Sequence, residues 1–160
     1  ARALADAGAD AILLESFADL EEIEIALEAV RSVCDVPVVC SMTFGSGPDG
    51  TKTMMGNSAE DLARMGEDAG AAAVGANCGT GPDVYVRVAE VLRSSSRLPI
   101  WIKPNAGLPQ MVEGQTVFPM GPDTFAAFGP KLVQAGATFV GGCCGTTPDH
   151  IRALARQVKG

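Results

Sequence analysis

The chain has 160 residues, 47% of them apolar and 19% charged, with a formal net charge of −7. That composition describes a globular domain with one sizeable core and not a disordered segment. The acidic balance and the lack of any Lys/Arg run argue against nucleic acid or an anionic membrane surface as a partner. No apolar run approaches the roughly 18 residues that cross a bilayer. Five cysteines with no secretory signal point to reduced thiols or metal ligands, and so to a cytoplasmic setting, more than to a disulfide framework.

Residues 1–7 read as the end of a helix, so the chain is expected to lack sequence on its N-terminal side. A repeat organises the rest of the chain. Asp6-Ala7-Gly8-Ala9, Asp68-Ala69-Gly70-Ala71 and Gln134-Ala135-Gly136-Ala137 each precede an apolar run: Ile12-Leu13-Leu14, Ala72-Ala73-Val74 and Thr138-Phe139-Val140. The glycine is a helix C-cap and the run a buried strand. Between them, Arg31-Ser32 leads to Pro37-Val38-Val39, and Arg93-Ser94 leads to Pro99-Ile100-Trp101-Ile102. The blocks recur at about 62–66 residues, which makes five strand-plus-helix units of about 30 residues each.

Helical spacing places Leu20, Ile23, Leu27 and Val30 on one face. It does the same for Val84, Val88, Val91 and Leu92, and for Ile151, Leu154, Ala155 and Val158. Helix starts are marked by Ser58 ahead of Glu60-Asp61, by Pro82-Asp83, by Pro122-Asp123 and by Thr147-Pro148-Asp149. Gly129-Pro130 predicts a break in the helix that carries Phe125, Phe128 and Leu132.

Apolar strands alternating with helices predict an α/β fold with a parallel sheet covered on both faces. Five such units do not close an eight-stranded barrel, so they are expected to be the C-terminal part, strands 4 to 8, of a (β/α)8 TIM-type barrel. A complete flavodoxin-like domain is disfavoured because no phosphate-type loop comes after the first strand. In such barrels the chemistry sits on the loops after the strands. Here those loops begin at Glu15-Ser16, Ser41-Met42-Thr43, Asn77-Cys78-Gly79, Lys103-Pro104-Asn105 and Cys143-Cys144.

Three thiolates with one exchangeable position make a zinc arrangement, and catalytic zinc keeps its fourth position open. Cys78 ends the third strand and Cys143-Cys144 the fifth. Adjacent cysteines converge only where the backbone leaves strand geometry, and Gly141-Gly142 and Gly145 permit that. Spacing alone leaves two other readings open: a pair of small buried hydrophobes, and a phosphate pocket on the Gly-rich loop before the last helix.

Gly75-Ala76-Asn77-Cys78-Gly79, Lys103 through Pro109 and Gly141 through His150 resemble the homocysteine S-methyltransferase family, most closely its cobalamin-dependent branch. Leu13-Leu14-Glu15-Ser16 and the 50–58 loop are also similar, so the likeness spans the whole chain. It implies a homocysteine-binding domain over 1–160, N-terminally incomplete, with Zn2+ held by Cys78, Cys143 and Cys144 as the catalytic centre. Homocysteine would be activated as a thiolate and methylated to methionine. The implied donor is methylcobalamin on a separate corrinoid/methyltetrahydrofolate domain or subunit, with S-methylmethionine or betaine as the alternative. Glu15 would take the substrate ammonium. Ser16, where the family has Thr or Tyr, would lie near the metal or cap a helix. Asn77 would fix the Cys78 loop, and Asn105 would occupy the open metal position without substrate; each asparagine also has a turn reading.

Thr146 and Thr147 are expected to order the last loop and cap its helix, His150 to face solvent, Cys40 to be core and Cys34 a loop thiol. Met54-Met55 are expected to pack in their loop. Two rivals of other classes remain: a structural zinc barrel without catalysis, and a redox enzyme using Cys143-Cys144, whose vicinal disulfide would close a strained ring.

Overall fold

The computed structural model describes residues 1–159. Five parallel strands, β1 (Ile12–Phe17), β2 (Val38–Met42), β3 (Ala73–Cys78), β4 (Ile100–Pro104) and, after an intervening hairpin, β7 (Phe139–Val140), lie side by side in chain order. Helices α2 (Leu20–Arg31), α3 (Ala59–Ala69) and α4 (Pro82–Ser95) come after the first three, and α7 (Pro148–Lys159) after the last. Sequential neighbours joined by helical crossovers form an arc of a (β/α)8-type barrel. A short α1 (Arg2–Asp6) leads into β1.

The strand pattern explains the curvature. Val38, Cys40 and Met42 of β2, Val74 and Ala76 of β3, and Ile100 and Ile102 of β4 join one core with Ile23, Leu27, Leu62, Val88 and Leu92 of the helices. Side chains alternate along a strand. The odd-numbered residues Glu15, Ser41, Gly75, Asn77, Trp101 and Lys103 therefore share the other, concave face. Both faces of β2 and β3 are buried, as expected: the helices pack on the face that carries the apolar core, and the concave face carries Ser41 and Asn77. Gly75 has no alternative there, because a Cβ on it would stand 1.9 Å from the Trp101 carbonyl oxygen.

Local signals set the ends of the helices. Ser58 caps α3 in a capping box with Asp61, whose carboxyl lies below its usual range because the Ser58 hydroxyl and N–H donate to it. Gly70 closes the same helix at φ 75°. Asp19, not Ser16, caps α2, its side chain accepting from Glu22 N. The break at Gly129-Pro130 separates α5 (Pro122–Ala126) from α6 (Gly129–Gln134).

Three features differ from the sequence reading. Residues 110–117 form an antiparallel hairpin, β5 (Gln110–Val112) and β6 (Gln115–Val117), turned by Glu113 at φ 50° and Gly114 at φ 79°. The apolar stripe of α7 is also only partly covered. Leu154 is buried, but Ile151 and Val158 border an open groove with Trp101, Phe139 and Val133. Met54 and Met55 are exposed at 80% and 62%, so they do not pack within their loop.

Candidate metal and substrate site

The strand ends place three sulfurs together. Cys78 ends β3 at φ 67°, one of the few non-glycine residues with a left-handed backbone. Such a conformation costs about 1–3 kcal/mol and persists only where its surroundings enforce it. Those surroundings are visible. Asn77, fully buried, accepts on Oδ1 from Ser16 N at 2.9 Å and from the Ser41 hydroxyl at 2.8 Å. Its Nδ2 donates to Ser16 Oγ at 2.7 Å. One amide thus ties β1 and β2 to β3. On the other side the Tyr85 hydroxyl, driven well above its usual pKa by burial and so protonated, donates to the Asn77 carbonyl at 2.7 Å. Ser16 is the second left-handed residue, at φ 68°. The unusual backbone falls on Ser16 and Cys78, and neither asparagine adopts it.

β7 is only two residues long, and the chain leaves it at Gly141-Gly142. Cys143 N still donates to the Pro104 carbonyl at 2.9 Å, and Ala106 N donates to the Cys144 carbonyl at 2.9 Å. Gly145 turns at φ 78° against Phe118. Asn105, 3% exposed, joins the two sulfur-bearing loops. Its Nδ2 donates to the Gly79 carbonyl at 2.7 Å, and its Oδ1 accepts from Cys144 N at 2.9 Å. Both ends of this amide are therefore committed to backbone.

Cys78 Sγ and Cys144 Sγ stand 3.9 Å apart, as do Cys143 Sγ and Cys144 Sγ, and the three sulfurs lie within 4.8 Å of one another. A tetrahedral zinc with bonds near 2.3 Å has sulfur–sulfur edges of about 3.8 Å. The donor set fits zinc in kind as well, being soft, thiolate-only and reached from one side. Desolvation, then the neighbouring Cys143 and Cys78 sulfurs, push the Cys144 thiol up to about 11. Three thiolates so close would repel one another, and a cation bound among them would let all three ionise together.

On the concave face Glu15 Oε2 accepts from Lys103 Nζ at 2.8 Å, Lys103 standing opposite Asn77, the residue before Cys78. The sequence shows Lys103 within a motif but assigns it no part in the site. Nothing in its spacing reveals a partner 88 positions away, on a strand that is not a neighbour in the sheet.

His150 corrects a further expectation. It is buried at 6% exposure: Nδ1 accepts from Thr147 N at 3.2 Å, leaving Nε2 to donate to the Met120 carbonyl at 2.9 Å. It ties the start of α7 to the loop after the hairpin. A lone histidine three residues past a helix-start threonine was the available signal. Thr146 and Thr147 order this loop as expected, the Thr146 hydroxyl donating to the Cys143 carbonyl at 2.7 Å. Cys40 is core, and Cys34 is half-buried beyond α2, its sulfur 3.5 Å from the Val30 carbonyl.

A barrel arc whose C-terminal rim gathers three cysteine sulfurs that could hold a metal ion defines the class: an α/β protein of the TIM-type scaffold with a candidate thiolate site. The sequence model of homocysteine S-methyltransferase matches residues 1–158, and the chain belongs to that family. It is 36% identical over 160 residues to a methionine synthase of Mycobacterium tuberculosis and 35% identical over 159 residues to one of Mycobacterium leprae. Each alignment takes in 96% of this chain and 13% of the relative. The apo crystal structure of the homocysteine methyltransferase MmuM from Escherichia coli superposes with a TM-score of 0.77 at 26% identity, covering 98% of this chain and 52% of MmuM. The chain thus spans a small part of the methionine synthases it matches and about half of MmuM.

Proposed function

We propose that this chain is the homocysteine-holding part of a methyltransferase that converts homocysteine to methionine, with Cys78, Cys143 and Cys144 holding a zinc ion. The observation that carries the reading is the convergence of three sulfurs from two separate loops within 4.8 Å. Membership of the homocysteine S-methyltransferase family supports the substrate, and similarity to methionine synthases and to MmuM supports the reaction.

When bound, zinc would supply the positive charge that keeps a substrate thiol deprotonated at neutral pH. The chain's own residues do the rest. The Asn77 and Asn105 amides hold the three cysteines in register from both sides of the mouth. Glu15 offers a carboxylate to the substrate ammonium. The half-open rim leaves the substrate sulfur accessible to a donor from above. In the transfer, the sulfur lone pair forms the S–CH3 bond as the bond from methyl to its donor breaks, and the donor leaves with that electron pair. The thiol proton has gone to solvent beforehand.

The donor in this reading is methylcobalamin carried by a separate corrinoid/methyltetrahydrofolate domain or subunit; S-methylmethionine or betaine is the alternative. Thiols that must stay reduced suit a cytoplasmic setting. Among the described residues no helix is long and apolar enough to cross a membrane.

Metal analysis tests the site. Wild-type chain is expected to hold zinc stoichiometrically, and Cys78→Ala to lose most of it while Cys34→Ala keeps it. Unchanged zinc content in Cys78→Ala would overturn the assignment. Zinc retained with no affinity for homocysteine would instead favour a structural barrel.

A further inference from the structure

The Glu15–Lys103 pair is the one charged contact on the concave face, among the described residues, that joins strands not adjacent in the sheet. Lys103 stands beside Asn77 in the β3–β4 register, one residue before Pro104 and Cys78. Its stem passes over Gly141, where a Cβ would come within 3.2 Å of Lys103 Cγ. Glu15 immediately precedes Ser16, whose N–H and hydroxyl engage Asn77. Lys103 therefore lies about one residue, roughly 3.3 Å, before the Cys78 level along the β3–β4 pair.

Stability does not explain it. The Lys103 and Glu15 side chains are 23% and 39% exposed, and ion pairs of that kind contribute about 0–1 kcal/mol. Geometry gives a better account. Lys103 engages Oε2, and among the described residues Oε1 takes no hydrogen bond. A glutamate on a two-carbon stem samples several rotamers unless something fixes it.

We propose that Lys103 is a positioning residue for an ammonium subsite: it pins Glu15 through Oε2 and presents Oε1 to the ammonium of an α-amino thiol held beside the three sulfurs. This rests on the homocysteine reading above and adds to it the residue that sets how strongly the amine is recognised. Lys103 touches the carboxylate and not the reacting sulfur. Its removal weakens ligands that carry an ammonium and spares those that do not.

Calorimetric titration of the zinc-loaded protein with L-homocysteine and with 4-mercaptobutanoate, which keeps thiol and carboxylate but lacks the amine, separates the possibilities. Lys103→Met is expected to weaken homocysteine about tenfold, the size of one charge-assisted contact, and 4-mercaptobutanoate by less than about twofold. Lys103→Arg restores most of the loss, and Lys103→Met adds nothing on a Glu15→Gln background. Should Lys103→Met fold poorly, Lys103→Gln, which keeps an N–H donor toward Oε2, is expected to give an intermediate loss confined to homocysteine. Equal weakening of both thiols overturns the proposal and assigns Lys103 to the ligand carboxylate or to the scaffold. Unchanged homocysteine affinity overturns it as well. If wild-type protein binds neither thiol, the homocysteine reading itself fails, and the proposal fails with it.

Discussion

Asn105 separates two roles that one side chain could play, and replacing it with alanine tells them apart. In Asn105→Ala the Gly79 carbonyl loses its donor and the Cys144 N–H loses its acceptor, next to a side chain only 3% exposed. Each partner left unsatisfied in a buried setting costs about 1–3 kcal/mol, and some water entry at the rim reduces the sum, so the loss is about 2–4 kcal/mol. For a chain of this size that lowers Tm by about 4–16 °C. The assay is thermal unfolding of metal-free protein, kept in reductant and chelator, and then zinc titration. A loop clamp predicts that the melting point falls without metal and that zinc affinity falls with it. A side chain that serves only as a stand-in ligand predicts a wild-type melting point without metal. That second result would refute the reasoning that Asn105 holds the two loops together.

Ser58→Ala removes the hydroxyl half of the α3 capping box and should cost about 1 kcal/mol, a Tm drop of about 2–4 °C with zinc binding unchanged. Gly145→Ala puts a Cβ 2.2 Å from Phe118 Cγ at φ 78°; a loss of about 2–4 kcal/mol and weaker zinc retention are expected in melts and metal analysis. Burial pushes the Cys40 thiol up to about 12 from 9.0. The folded chain then keeps a proton that the unfolded chain releases. Stability is full below about 9 and falls as pH rises through 12, by up to about 1.4 kcal/mol per unit. Cys40→Ala should flatten that decline in denaturant titrations over this window, although the cavity it leaves lowers stability at neutral pH.

The strands and helices were readable because their signals are local. Gly70 and Gly136 stop helices, Ser58 and Pro82 start them, and the apolar runs between are too short for anything but strands. The three cysteines were readable because the barrel sends every strand end to one rim. The features that stayed hidden depend on contacts between distant positions. Burial of His150 requires the loop after the hairpin, whose Met120 carbonyl accepts from the ring. The β5–β6 hairpin is exposed throughout, so no apolar alternation marks it, and only Glu113-Gly114 hinted at its turn. The Asn77 amide bonded to Ser16 and Ser41 and the Lys103–Glu15 pair join residues 36 to 88 positions apart. Chain spacing carries no information about such pairs until the curvature of the sheet is known.

The central claim is that Cys78, Cys143 and Cys144 hold a zinc ion with one position left for a substrate sulfur. X-ray absorption at the zinc edge, with and without L-homocysteine, tests it most directly. The account predicts three sulfur neighbours in the wild-type protein and a fourth when homocysteine is added, both lost in Cys78→Ala. A shell already complete with four protein ligands and unaltered by homocysteine would contradict it.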